Sequence, residues 1–129
     1  MNKELIELQR GCNATCVVIL DVNYRELGQT LFMDAKIEDE KLFASPIGNP
    51  IFKEKLDRIA SNGNLTYFII RGIDELTEDM QNRYIGLVKD REFNGYNLPH
   101  NVIIVFTVKT REGLQKISKE LYRFCVVAF

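Results

Sequence analysis

The feature that most constrains this 129-residue chain is a set of short, nearly continuous apolar runs separated by helical patterns. The first run, Thr15–Val22, is rich in β-branched residues and has almost no polar alternation. A strand of that kind is buried on both faces, which is typical of a parallel sheet covered by helices. The sequence therefore predicts a single α/β domain over residues 1–129, a three-layer sandwich with a mainly parallel sheet. The predicted strands are Cys16–Val22, Tyr67–Ile70, Val102–Thr107 and Cys125–Phe129.

Helical periodicity fills most of the segments between these runs. Thr77 is a good N-cap for a helix whose buried face carries Met80, Tyr84, Leu87 and Val88. An Asn-Gly pair at 94–95, between apolar positions, predicts a hairpin. The other predicted elements are a helix over Met1–Arg10, a helix over Thr30–Ala35, a strand at Leu42–Ala44, a helix over Pro50–Ala60, and a helix capped by Thr110 that carries Leu114, Ile117 and Leu121.

Composition excludes several classes of function. Seventeen basic and 18 acidic residues leave a net charge of -1, which gives no long-range attraction to nucleic acid or to an anionic membrane. No apolar run approaches the ~20 residues needed to span a bilayer. The three cysteines, Cys12, Cys16 and Cys125, are an odd number in a chain without a secretion signal, so we expect reduced thiols in a cytoplasmic protein. Their spacing, with His100 far away, predicts no metal site.

The loop after the first strand has the spacing of a phosphate-binding loop, G-x-x-x-x-G-K-[ST]. Gly28 and Thr30 match that pattern, whereas Asn23 replaces the first glycine and Gln29 replaces the lysine. Glycines in such a loop let backbone N–H groups approach phosphates, and the lysine neutralises their charge. The match is therefore partial, and it lacks the cation.

The order of the later segments resembles the core of AAA+ ATPases of the MoxR and McrB-like kind. Lys3–Gly11 and Cys16–Leu20 resemble the approach to the P-loop, and Phe68–Leu76 resembles the Walker B strand. Met80–Val102 is the most similar block, with its helix, Asn-Gly turn and Leu-Pro before the sensor 1 strand. Leu121–Phe124 matches the entry into the last core strand, and we expect no lid domain after it.

The resemblance implies a nucleotide site, but its catalytic positions are altered. The Mg²⁺-binding Asp and water-polarising Glu of Walker B align with Arg71 and Gly72. Asp74 and Glu75 fall about two residues late, ~6–7 Å along a strand and far beyond a ~2 Å Mg–O contact. At the sensor 1 position at best Thr107 is retained.

Two arginines have alternative interpretations. Arg71, at the carboxyl end of a strand, either binds phosphate or pairs with Asp74 or Asp21, and pairing is favoured because a partly buried arginine without a partner is costly. Arg123 lies where the resemblance implies an arginine finger, and its alternative is an exposed arginine beside a strand.

These departures predict a non-hydrolysing AAA+-like module, a pseudo-ATPase, that acts through protein–protein contacts. The partners would be AAA+ subunits or further copies of the chain, through the face bearing Arg123 and the hairpin with Phe93, Tyr96 and Leu98. Alternatively the hairpin side chains fold back onto Leu87 and Val88. We expect no catalytic residue, no metal and no cofactor. The alternative function is a nucleotide-binding ATPase, or a fragment of one, that binds ATP and Mg²⁺ weakly and is completed by a partner.

Overall fold

The structure, a computed structural model, describes residues 16–27, 30–34, 50–93 and 96–129. Seven strands lie in these ranges: β1 (Cys16–Leu20), β2 (Thr30–Asp34), β3 (Thr66–Arg71), β4 (Glu92–Phe93), β5 (Tyr96–Asn97), β6 (Val102–Val108) and β7 (Cys125–Val127). The α-helices are α1 (Pro50–Asn62), α2 (Glu78–Asn82), α3 (Tyr84–Asp90) and α4 (Lys119–Tyr122). Three 3-10 helices cover Asp21–Leu27, Ile73–Glu75 and Arg111–Lys116. No helix within the described ranges is long and apolar enough to cross a membrane.

Five strands form one parallel sheet in the order β2-β3-β6-β1-β7, which confirms the predicted α/β class. The central strands β1, β3 and β6 are buried almost throughout, as their unbroken apolar runs predict. The two remaining strands, β4 and β5, pair antiparallel as the predicted hairpin. The Asn-Gly turn at 94–95, the Met1–Arg10 helix and the Leu42–Ala44 strand lie outside the described residues.

Successive residues of the central strands contribute to two different apolar clusters, because side chains alternate between the faces of a sheet. On one face, Phe68 and Phe106 pack with Tyr84 and Leu87 of α3 and with Ile59 of α1. Buried residues of the other cluster are Val17, Ile19, Leu27, Tyr67, Ile69, Ile103, Val105 and Ala128, with Tyr24 packed against them. Tyr24 and Leu27 belong to the first 3-10 helix, so this helix packs against the second face.

The predicted helix over Thr30–Ala35 is wrong, because Thr30–Asp34 is strand β2. Its register with β3 pairs Thr30 with Tyr67 and Asp34 with Arg71. A short apolar run by itself is compatible with a helix or with a strand. Here the run forms a strand because it pairs with the edge of β3. The first strand is also shorter than predicted, since it ends at Leu20 and Val22 is 80% exposed.

The segment before β6 and the segment after it are each predicted to be one helix. In the structure each is divided into two shorter helical elements. The Thr77 N-cap is confirmed, since its side chain accepts a hydrogen bond from the Met80 N–H, but the helix breaks at Arg83. The Thr110 side chain makes no capping hydrogen bond to the 3-10 helix that follows it. Instead Ser118 caps α4 by accepting from the Leu121 N–H, 3.2 Å away.

The hydrogen bonds of buried Gln81 explain why no single helix runs from Thr110 to Leu121. Nε2 of Gln81 donates to the carbonyls of Leu76 and Lys116, and its Oε1 accepts from the Ser118 N–H. The backbone between Lys116 and Ser118 is extended at Ile117, so these polar groups bond to Gln81 instead of continuing a helix.

Candidate functional site at the carboxyl edge of the sheet

Three adjacent strands, β3, β6 and β1, end at the same edge of the sheet, where open α/β sheets bind ligands. Arg71 is the last residue of β3, Thr107 is the penultimate residue of β6, and Asp21 follows β1 directly. The topology thus brings together the Walker B-like arginine, the sensor 1-like threonine and a carboxylate.

Asp21 is the centre of this cluster. Its Oδ1 accepts hydrogen bonds from Arg71 Nε at 3.0 Å and from Thr107 Oγ1 at 2.7 Å, and its Oδ2 accepts from an Arg71 terminal nitrogen at 2.9 Å. The arginine bond is bidentate, the geometry in which guanidinium and carboxylate bind most strongly. Hydrogen bonding from Arg71, supported by that from Thr107, lowers the pKa of Asp21 against the opposing effect of burial.

Arg71 is held on a second side by an aromatic ring. Its guanidinium carbon lies 4.2 Å from the ring centroid of Tyr24, within the range of a cation–π contact. Of the two alternatives for this arginine, the structure therefore gives pairing, and the partner is Asp21. Sequence reasoning placed Asp21 among the candidates but gave no signal for Tyr24, because an aromatic residue four positions after a strand has many uses.

Gly72 completes the turn that leaves β3. Its φ of 78° lies in the left-handed region that favours glycine, and its N–H donates to Thr107 Oγ1 at 3.0 Å. Thr107, which is fully buried, thus accepts one hydrogen bond and donates another, joining the ends of all three strands. Gly72 therefore has a structural role, because it allows the turn after β3, at the position where the resemblance implies a catalytic glutamate.

Beside this cluster lies a cavity of about 210 Å³. Asp74 and Glu75 lie in the 3-10 helix after Gly72, and Asp74 Oδ2 accepts from the Lys109 N–H at 3.4 Å. The residues that line the cavity are Asp21, Arg71, Gly72, Asp74, Glu75 and Lys109. Among the described residues no group of three metal-ligating side chains is present.

The predicted phosphate-binding loop does not join this cluster as a unit. Asn23 lies half-buried in the 3-10 helix that follows β1, while Gly28 and Gln29 lie outside the described residues. Thr30 begins β2 opposite Tyr67, four residues before the β2 position opposite Arg71. At about 3.3 Å per residue it lies roughly 13 Å away along the strand, towards the opposite edge. The sequence pattern G-x-x-x-x-G-K-[ST] requires Thr30 at a helix start near the phosphates, which is not its place here.

The remaining predicted residues lie elsewhere. Arg123 is exposed at the C-terminal end of α4, beside β7. Leu98 of the hairpin is buried in the same cluster as Leu87 and Val88, so for this residue the folded-back alternative is the correct one.

Comparison of the chain with family models and with curated proteins finds no match.

Proposed function

We propose that this chain is a non-hydrolysing, AAA+-like module, with a three-layer core similar to that of P-loop NTPases, that acts through protein–protein contacts. The observation that carries the proposal is the bidentate pairing of Arg71 with Asp21. Arg71, at the carboxyl edge of the sheet, is already neutralised by Asp21 and packed against the Tyr24 ring. A phosphate entering the cluster would have to compete with an aligned carboxylate for the guanidinium.

The order of the parallel strands supports the AAA+-like part of the proposal. When the strands of the described residues are numbered in chain order without the hairpin, the sheet has the order 2-3-4-1-5, with the first strand between the fourth and the fifth. This order is compatible with a P-loop-type core, and it brings the end of β1, the Walker B-like strand β3 and the sensor 1-like strand β6 to one edge. The parallel topology therefore supports this part of the proposal.

The absence of hydrolysis follows from the chemistry that the cluster offers. Phosphoryl transfer from ATP needs a metal held by carboxylates and a residue that orients water. The Walker B-like positions hold Arg71 and Gly72, and Asp74 is close to the Lys109 N–H. Arg71 is itself paired with Asp21, so at these two positions the chain offers an ion pair and a glycine in place of carboxylates that could bind Mg²⁺.

The second candidate function is nucleotide binding completed by a partner chain. It is favoured by the cavity of about 210 Å³, where Arg71 and Lys109 stand beside Asp74 and Glu75. In that case ATP and Mg²⁺ would be the cofactors, and affinity would be weak without the partner.

Phosphate release from ATP tests whether the chain hydrolyses ATP. We expect the purified chain to release phosphate no faster than buffer, with and without Mg²⁺, and we expect an Arg71→Ala variant to give the same rate. The variant distinguishes the chain from a contaminating ATPase, whose rate it leaves unchanged. Turnover above background that changes in the variant contradicts the proposal.

The surface around α4 supports the protein-contact part of the proposal. Tyr122 is 43% exposed, unusual for a large side chain in this fold, and Arg123 follows it. A cavity of about 380 Å³ lies here, lined by Leu114, Gln115, Ile117, Lys119 and Tyr122. Lys119, Glu120 and Arg123 carry both signs of charge, so two copies related by a two-fold axis can pair them reciprocally. We therefore take a second copy of this chain as the occupant.

Light scattering over a concentration series tests this surface. We expect the mean mass to rise towards that of a dimer, and Tyr122→Ser to raise the dissociation constant by about tenfold or more, as loss of a buried tyrosine anchor does. Val22→Ser is the control, because Val22 is equally apolar and more exposed but lies on another element. A monomer at every concentration, or an equal effect of both variants, contradicts this contact.

A further inference from the structure

Two cysteine thiols face each other across adjacent strands, 109 residues apart in the sequence. Cys16 of β1 and Cys125 of β7 are register partners in the parallel pairing of these strands, and their sulfur atoms lie 3.1 Å apart. Neighbouring strands are about 4.8 Å apart, which lies inside the range of Cα separations that a disulfide spans. The backbone therefore already holds the two residues where a disulfide needs them.

The two thiols differ in their surroundings. Cys16 is 1% exposed, and its sulfur donates to the Phe124 carbonyl at 3.1 Å. Burial, together with the neighbouring Cys125, raises the pKa of the Cys16 thiol. Cys125 is half-buried, and its sulfur lies 3.4 Å from the Leu121 carbonyl. Cys125 is thus the sulfur that a small reagent in solvent reaches first, and Cys16 is the partner behind it.

We propose that Cys16 and Cys125 form a redox-active dithiol site, whose oxidant is a small peroxide such as hydrogen peroxide. Cys125 loses its proton, the thiolate attacks one peroxide oxygen, the O–O bond breaks, and a sulfenic acid and a hydroxide form. The hydroxide takes up the proton lost by Cys125 and becomes the first water. The Cys16 sulfur then attacks the sulfenic sulfur, the S–O bond breaks and the S–S bond forms. The hydroxyl that leaves takes up the Cys16 proton as water. In total two thiols and one peroxide give one disulfide and two waters, with two electrons passing from sulfur to oxygen.

The position of the pair gives the bond a structural consequence. β7 has three residues in register with β1, and it is one of the two outer strands of the described sheet. A covalent bond at the first of these three pairs holds this outer strand on the central sheet. It also closes a loop of about a hundred residues, so it restricts the unfolded chain strongly.

Peroxide oxidation of the intact chain tests this site. After treatment with one equivalent of hydrogen peroxide we expect the three thiols to fall to one, and peptide mapping without reductant to link Cys16 to Cys125. Dithiothreitol should restore all three thiols. Retention of three thiols, or a bond to Cys12, overturns the proposal.

Two variants and a melting measurement sharpen the test. Cys125→Ser should abolish the linked peptide, while Cys12→Ser, the control, should form it as the unaltered chain does. We expect the oxidised chain to melt roughly 5–15 °C higher than the reduced one. An equal or lower melting temperature contradicts the claim that the bond forms without displacing the strands.

Discussion

A Gln81→Leu variant should unfold with a free energy about 3 kcal/mol smaller than that of the unaltered chain. Leucine has nearly the volume of glutamine but makes none of its hydrogen bonds. Gln81 is 1% exposed, and it bonds to the carbonyls of Leu76 and Lys116 at 3.0 and 2.8 Å and to the Ser118 N–H at 2.6 Å. The substitution leaves these three backbone groups without that partner, and each such group in a dry environment costs about 1–3 kcal/mol.

Urea unfolding followed by circular dichroism measures this difference. Asn97→Leu is the control, because Asn97 is exposed on β5 and lies outside the surface around α4. A surface substitution of that kind changes stability by about 0.5 kcal/mol or less. Equal losses in the two variants would mean that Gln81 does not join α2 to the segment before α4.

An Arg71→Glu variant should lose about 2–3 kcal/mol of unfolding free energy, because it sets a second carboxylate against Asp21. In the unaltered chain the two side chains are 31% and 30% exposed, so water screens their interaction only in part. The variant also removes the cation above the Tyr24 ring. Arg58→Glu makes the same chemical change in the exposed pair with Glu54, where the side chains are 77% and 63% exposed. There we expect a loss below about 1 kcal/mol.

The pH dependence gives the Arg71→Glu comparison a second readout. Arg71 lowers the pKa of Asp21 in the folded chain, so Asp21 releases its proton more readily there than in the unfolded chain. The stabilisation is complete above the unfolded pKa of about 3.9 and is lost as the pH falls through the lower, folded value. In the variant, acid also neutralises the two opposed carboxylates. The gap between the unaltered and variant chains, measured by urea unfolding at successive pH values, should therefore narrow below about pH 4. A gap that is constant down to pH 2 would contradict the pairing.

The sheet could be predicted from the sequence because its central strands carry their own signal. The runs in β1, β3 and β6 are apolar on both faces, and few other structures bury every residue of such a run. β2 carried no comparable signal, since its apolar run is only Leu31–Met33 and its pairing with β3 is a contact with residues far along the chain. The secondary structure of such a short segment depends on its tertiary pairing, which local periodicity does not describe.

The candidate site could be predicted in part for the same reason. Placing Arg71 and Thr107 at strand ends was enough to bring them to one edge, and the cost of an unpaired arginine was enough to predict a carboxylate partner. The choice between Asp21 and Asp74 depended on where β1 ends, which the sequence placed two residues too late. Thr30 was misplaced because a loop motif was assigned without knowing the element that follows it. The contact of Cys16 with Cys125 depended on strand order, which no local pattern encodes.

Isothermal titration of the chain with ATP and Mg²⁺ tests the central claim most directly, that the carboxyl-edge cluster is an internal network and not a nucleotide site. Because Arg71 is paired with Asp21 and the Walker B-like positions supply no carboxylate, we predict no Mg²⁺-dependent heat of binding up to millimolar ATP. Micromolar binding that requires Mg²⁺ and is lost in Arg71→Glu would contradict the account.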